Sequence, residues 1–325
     1  MGITLLPLIF LDFQADFNIV FILLLFHTIT AATQDASIDA LSIASVPTSE
    51  RGSINGWMQT GMLTGRALLG GGALTLGEKA GNKIIIILLI GVIWFSTVLV
   101  LFSKYEIVTT NNVQEIRNRF TSFTITLRKV LADRSTQFGL LFAFTAGAGY
   151  EAVGAVAGPY LIDRGFDASG VGFFFSMPVI VGMIGGALIG GYVSDKIGRH
   201  RSVVLSIILT VINITVLSII DFIVGGSARM VQFVLLSTMY VFIGFFIASS
   251  YALFMDITDK KIGATQFSAF MGATNGCEAW AAFAVGKIIP VAGYPIAFVI
   301  MGIILLSIFS IVRFLRFSKN RSKIE

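Results

Sequence analysis

The chain has 325 residues, of which 55% are hydrophobic and 13% charged, with a net charge of +5 and a mean hydropathy of +0.87. Soluble domains carry roughly 25% charged residues, and a soluble fold of this length could not hide so much apolar surface, so the excess must face lipid. A single cysteine, Cys277, excludes an internal disulfide, and two distant histidines, His27 and His200, argue against a clustered metal centre. No cofactor is expected.

A helix that crosses the hydrocarbon core takes about 20 apolar residues. Segments that reach this length lie at 17–45, 54–76, 83–103, 137–162, 168–193, 202–224, 229–257, 264–290 and 294–315, about nine full spans. Ahead of them a stub, Ile3 to Phe13, is too short to span and reads as the tail of a helix. No basic start precedes the first apolar run, so no cleavable signal peptide is expected. Turn and charge signals separate the spans, as in Pro47-Thr48-Ser49-Glu50-Arg51-Gly52 and Asp163-Arg164-Gly165-Phe166-Asp167. The one long polar stretch, 103–136, carries Val113, Ile116, Phe120, Phe123, Leu127, Val130 and Leu131 at helical spacing, with Asn112 and Glu115 placed as a capping box. It is predicted to lie along the headgroups as an amphipathic helix.

Lys and Arg set the orientation. They crowd one set of alternating loops, at Arg51, in 103–136, in 194–201, at Lys260 and Lys261 and after Val312; they thin out in the other, at Lys79, Lys83, Arg164, Arg229 and Lys287. This bias places the linker and the C-terminus in the cytoplasm. The expected organisation is an N-terminal helical bundle over 1–103, made of the stub and three spans, a cytoplasmic amphipathic linker over 104–136, and a six-helix bundle over 137–325. A weak internal repeat sets Gly52, Asn55 and Gly61 against Gly263, Gln266 and Gly272 at constant offset, as in transporters built from parallel repeats.

Ionisable residues within spans need a partner, a proton or a wet cavity, because a charge at the bilayer centre costs about 2.5–3.5 kcal/mol. Glu151 lies mid-span among Gly147, Gly149 and Gly154, Arg66 lies within 54–76, and Glu278 follows Asn275 within 264–290. Asp35, beside Gln34, shares a helix face with Asp39 four residues on. Asp35, Gln34, Arg66, Glu151, Asn275 and Glu278 are the candidate lining of a substrate and proton pathway. The plainer alternative for Arg66 and Asp35 is an ion pair that ties two helices together. Gly182, Gly186 and Gly190, and likewise Gly61 with Gly65, repeat every four residues and read as stripes of close helix contact. Met177-Pro178 and Gly158-Pro159 are expected to kink their spans.

The clearest motif is Gly191-Tyr192-Val193-Ser194-Asp195-Lys196-Ile197-Gly198-Arg199-His200-Arg201, between two spans. Gly191 permits close helix contact. Asp195 can accept bonds from a neighbouring helix N-terminus, and Arg199 and Arg201 can bond that carboxylate or helix carbonyls. With Gly198 these residues would form a conformational latch. The motif resembles the signature loop of the major facilitator superfamily. The stretch Ala31-Ala32-Thr33-Gln34-Asp35-Ala36-Ser37-Ile38-Asp39-Ala40, with Glu50-Arg51-Gly52, Gly65-Arg66 and Asp163-Arg164-Gly165-Phe166, resembles the AmpG-type muropeptide permeases and their acetyl-coenzyme A transporter relatives.

The resemblance implies an all-α integral membrane protein with a twelve-helix, two-bundle fold that imports a cell-wall sugar-peptide on the proton gradient. This sequence departs from the pattern by lacking the first two helices and most of the third, so the N-terminal bundle is expected to be incomplete. The implied setting is a monomeric, multi-pass permease of the bacterial inner membrane. Its partners would be a small solute, protons and membrane lipids, with no role for nucleic acid. Two other readings stay open: a non-transporting fragment or sensor derived from a transporter, and a membrane-embedded transferase. A transferase would need a nucleophile or metal cluster at the membrane surface, which His27 and His200 do not supply. Without such a cluster the chain is not expected to be an enzyme, and without a G-x-x-x-x-G-K-[ST] loop it is not expected to be driven directly by ATP.

Overall fold

In lipid every backbone polar group must be satisfied within the chain, which leaves the helix as the natural element for long apolar segments. The structure, a computed structural model, describes residues 1–71, 81–102, 125, 128, 130–259 and 262–308, and every regular element among them is helical. The stub forms a helical turn, Gly2–Leu5, that tightens into a 3-10 turn, Leu6–Ile9. Then follow α1 (Phe17–Ser45), α2 (Arg51–Gly65, passing into a π-helical turn at Arg66–Gly71), α3 (Asn82–Phe102), α4 (Arg134–Thr145), α5 (Ala148–Asp163), α6 (Ala168–Ser176), α7 (Pro178–Ile197), α8 (Arg199–Val224), α9 (Arg229–Ile257) and α10 (Gly263–Ser307).

Local sequence sets several boundaries. Asp133 caps α4 by accepting from the Thr136 amide, and Asp167 caps α6 by accepting from the Gly170 amide. Pro178 cannot donate to the preceding turn, so α6 ends at Ser176 and α7 begins at the proline. Pro159, in contrast, sits inside an unbroken α5.

Six runs of the described residues are long and apolar enough to cross a membrane: Phe17–Ile43, Lys83–Phe102, Arg134–Asp163, Ser169–Ile197, Arg199–Ile257 and Thr265–Ser307. The chain is thus a multi-pass, all-α membrane protein. The expectation of about nine spans is not reached in this count. The last two runs, of 59 and 43 residues, are each interrupted: the first by the turn Gly225–Ala228, the second at Gly293, whose φ of 79° leaves the helical region. The span expected at 54–76 extends past residue 71, most of the linker expected at 104–136 falls outside the described residues, and so does the end of the span expected at 294–315.

The chain divides into two compact units, residues 1–39 with 65–125, and residues 40–64 with 126–325. In the first, Leu5, Leu8, Val20, Ile86 and Ile90 form a small apolar core. Thr4 Oγ1 and His27 Nδ1 share a hydrogen bond of 2.9 Å. Large side chains of α1 and α3, such as Phe21, Phe26, Phe95 and Leu99, point outward, as a lipid-facing surface requires.

The second unit holds the larger core. Phe254 stacks on Phe270 with ring centroids 4.9 Å apart, and Phe142 packs edge-on against Phe254 at 5.8 Å. The glycine stripe of α7 lies on α9. A methyl group at Gly186 would collide with the Val241 carbonyl, and one at Gly190 would meet Phe245 backbone at 2.6 Å. Only a missing side chain lets the two backbones approach this closely. Gly61 and Gly65 differ: among the described residues neither has a neighbour where a side chain would be.

Candidate functional site

Two groups of polar residues lie within the second unit. The first centres on Asp195, in the last turn of α7. A helix leaves its first backbone N–H groups without internal partners, and its dipole favours an anion there. Asp195 supplies that anion to α2. Its Oδ1 accepts from the Gly52 amide at 2.9 Å, and its Oδ2 accepts from the Ser53 amide at 2.7 Å and from the Ser53 hydroxyl. Arg199, one turn on, pairs with the same carboxylate at 2.6 Å and donates to the Thr48 carbonyl. Gly198, with φ of 90°, makes the turn between α7 and α8 that brings Arg199 back over Asp195.

Arg51 does the complementary work at helix C-termini. It is 3% exposed, and its guanidinium donates to the Met255 carbonyl at 2.7 Å, in the last turn of α9. It also reaches the Ile43 carbonyl near the end of α1 at 3.4 Å, and it pairs with Asp256 at 3.1 Å. A cation is favoured where helix carbonyls are unpaired. Asp256 lies 3.9 Å from Arg199 as well, so two carboxylates and two guanidiniums interlock. The backbones meet closely beneath them. A methyl group on Gly52 would collide with the Gly191 carbonyl, one on Gly191 with the Gly52 carbonyl, and one on Gly56 would lie 2.7 Å from the Ala187 carbonyl. Arg201 stays exposed on the first turn of α8.

The second group surrounds Glu151. The helix is interrupted at Ala146–Gly147, between α4 and α5, near the middle of the run Arg134–Asp163. A methyl group at Gly147 would lie 3.1 Å from the Tyr150 hydroxyl, 3.2 Å from Glu151 Cγ and 3.3 Å from Cys277 Sγ, so the glycine leaves room for three converging side chains. Glu278 lies on α10, one residue after Cys277. The Tyr240 hydroxyl stands 3.7 Å from where a methyl on Gly154 would be. Trp280 donates its indole N–H to the Phe144 carbonyl at 2.8 Å, where α4 is about to end. Glu151 is half-buried, while Asn275 and Glu278 are exposed.

The remaining candidates belong to the first unit. Gln34 and Asp35 are exposed on α1, and Arg66 is exposed at the start of the π-helical turn. Arg66 and Asp35 make no ion pair with each other among the described residues. The helix-tying pair weighed as the plainer alternative is therefore not formed. Sequence reasoning left out Asp256 and also Asp221, a buried carboxylate at the far end of α8 from Arg199. Both sit near the ends of apolar runs, and that position was the available signal. No histidine, cysteine and carboxylate cluster suited to a metal occurs among the described residues.

Residues 1–286 match the family model described as the Major Facilitator Superfamily.

Proposed function

The chain belongs to the major facilitator superfamily, a family of secondary transporters, and from that premise we propose that it moves a small solute across the bacterial inner membrane by alternating access. In this reading protons are the coupling ion, the cargo is a muropeptide-like sugar-peptide, and transport is inward. The protein works as a monomer with its C-terminus in the cytoplasm. Its two bundles are 1–103 and 137–325, joined by the linker at 104–136. Asp35, Gln34, Arg66, Glu151, Asn275 and Glu278 contribute to the solute and proton pathway.

One observation carries the alternating-access reading. Asp195, Arg199, Arg51 and Asp256 join the start of α2 to the ends of α7 and α9 through bonds that favour helix termini over fixed side-chain partners. Each bonded group has an aqueous alternative when the helices part, because backbone N–H and C=O groups at helix ends hydrate readily. Such a junction can open and close in a cycle. Glu151 supports the proton-coupling part of the reading, since ionisable residues inside spans mark substrate and ion pathways, proton relays among them.

The test is uptake into proteoliposomes of a labelled disaccharide-peptide from cell-wall digestion, with and without an imposed pH gradient. Accumulation that needs an inwardly directed proton gradient is expected, and Glu151→Gln should abolish the gradient-driven part. Accumulation in Glu151→Gln equal to the native protein removes Glu151 from the coupling role. No uptake of any labelled fragment by the native chain overturns the transport reading and leaves the sensor alternative.

A further inference from the structure

At the end of α8 opposite to Arg199, a second buried charge cluster gathers four helices. Its centre is Asp221, whose side chain is fully buried. Arg164, just past the end of α5, grips it with two bonds, Nε to Oδ1 at 2.5 Å and Nη2 to Oδ2 at 2.7 Å. Tyr160 of α5 donates its hydroxyl to Oδ1 at 3.1 Å, and Gln232 of α9 donates to the same oxygen at 2.9 Å and to the Gly225 carbonyl at 3.0 Å. The guanidinium lies over the rings of Tyr160 and Tyr294, at 5.0 and 5.5 Å from their centroids. Tyr294 of α10 in turn donates to Asp163 at 2.9 Å. The two bonds to Asp221 hold Arg164 still further above its ordinary pKa, so the guanidinium is a permanent cation.

Neighbouring residues of the same turn are anchored too. Gly165, with φ of 85°, lets the chain double back after Arg164. Phe166 then packs on Phe233 of α9, with ring centroids 5.4 Å apart. Asp167 caps α6. The turn therefore touches α8, α9 and α10 while it joins α5 to α6.

We propose that this turn and Asp221 form a rigid clasp that fixes one end of α5, α8, α9 and α10 as a single body. Three features separate a clasp from a gate. The carboxylate has no water access, its partners come from several helices rather than one neighbour, and the planar bidentate grip of Arg164 has no equally good second geometry. Parting these helices would leave a buried carboxylate, a buried phenol and a buried amide without partners, and would take the counter-charge from the partly exposed guanidinium. The clasp does not depend on the transport reading; if that reading also holds, these helix ends tilt together while the Asp195 junction opens.

Hydrogen–deuterium exchange on the full chain in lipid nanodiscs tests this without any solute. In the native protein, peptides over 157–166, 217–232 and 290–298 should exchange slowly and at a common rate. Asp221→Asn should speed all three together, on the order of 100-fold, because breaking a buried pair strips the shared support. Peptides over 48–56 and 194–200 should not follow. Faster exchange confined to 217–232, or unequal rates in the native protein, overturns the clasp. Should Asp221→Asn fail to fold, Tyr294→Phe is the milder variant, since it keeps the ring and deletes one hydroxyl. Faster exchange in 157–166 and 217–232 as well as in 290–298 supports the clasp. No change, or a change limited to 290–298, overturns it.

Discussion

Asp195 and Asp221 are both carboxylates set among apolar helices, yet they are held in different ways. Asp195 retains 13% side-chain exposure and is bound by two backbone amides, a hydroxyl and an arginine from the next turn. Asp221 has no exposure and is bound by an arginine, a phenol and a side-chain amide from α5, its flanking turn and α9. Separating Asp195 from α2 returns each group to water at a helix end, where hydration replaces most of the lost bond. Separating Asp221 from Arg164 leaves charge in an apolar interior, where nothing replaces it. In the proposed reading one end of α8 releases and the other stays closed; the two carboxylates differ in exposure, 13% against 0%, while Arg164 keeps 18% against 9% for Arg199.

The largest effect should come from breaking the closed end. Asp221→Ala strands Arg164, Tyr160 and Gln232, and it should cost about 3–5 kcal/mol, read as a large drop in thermal midpoint in detergent. The paired change Arg164→Met with Asp221→Leu should recover most of that loss, because apolar packing replaces a buried ion pair well. A double variant as unstable as the single one would mean that the surrounding bonds matter more than the charge pair.

Next comes steric damage at the releasing end. Gly191→Val drives a side chain into the Gly52 carbonyl, and overpacking of this kind costs about 1–3 kcal/mol. Faster amide exchange over 48–56 together with a lowered thermal midpoint is the expected signature. An unchanged exchange rate there would show that α2 does not rest on α7 in the membrane.

Asp195→Asn should be gentler. It keeps a hydrogen-bonding oxygen but removes the anion from the α2 N-terminus and from Arg199, at roughly 1–2 kcal/mol. Exchange at Gly52 and Ser53 should rise while the midpoint moves little. A loss as large as that of Asp221→Ala would erase the contrast between the two ends. Ser53→Ala, which deletes only the hydroxyl partner of Asp195, should be the smallest change, about 0.5–1.5 kcal/mol, visible in exchange at residue 53 and nowhere else.

The helices were legible from hydropathy because lipid leaves an apolar chain few other choices. Two of their breaks were legible as well: the limits set at 224/229 and 290/294 coincide with the turn Gly225–Ala228 and the non-helical Gly293, where small and turn-forming residues interrupt the apolar runs. The spacing Gly191, Asp195, Gly198, Arg199 marked a turn with an anion beside a close helix contact, but it carried no sign that the receiving amides belong to Gly52 and Ser53. That pairing depends on packing between residues more than 140 positions apart. The link between Arg164 and Asp221, separated by 57 positions, was equally invisible, although each residue stands out alone as a charge at the edge of a span. The Arg66–Asp35 pair shows the opposite failure: two opposite charges in apolar sequence suggested a partnership, and both side chains are exposed.

Cys277 has a practical consequence. It is the only thiol in the chain, it is 1% exposed, and its Sγ shares the space beside Gly147 with Tyr150 and Glu151. Water-soluble sulfhydryl reagents should leave the native protein unlabelled, so a cysteine introduced at any surface position would be the sole reactive handle for spin labels or fluorophores, with no need to build a cysteine-free background first.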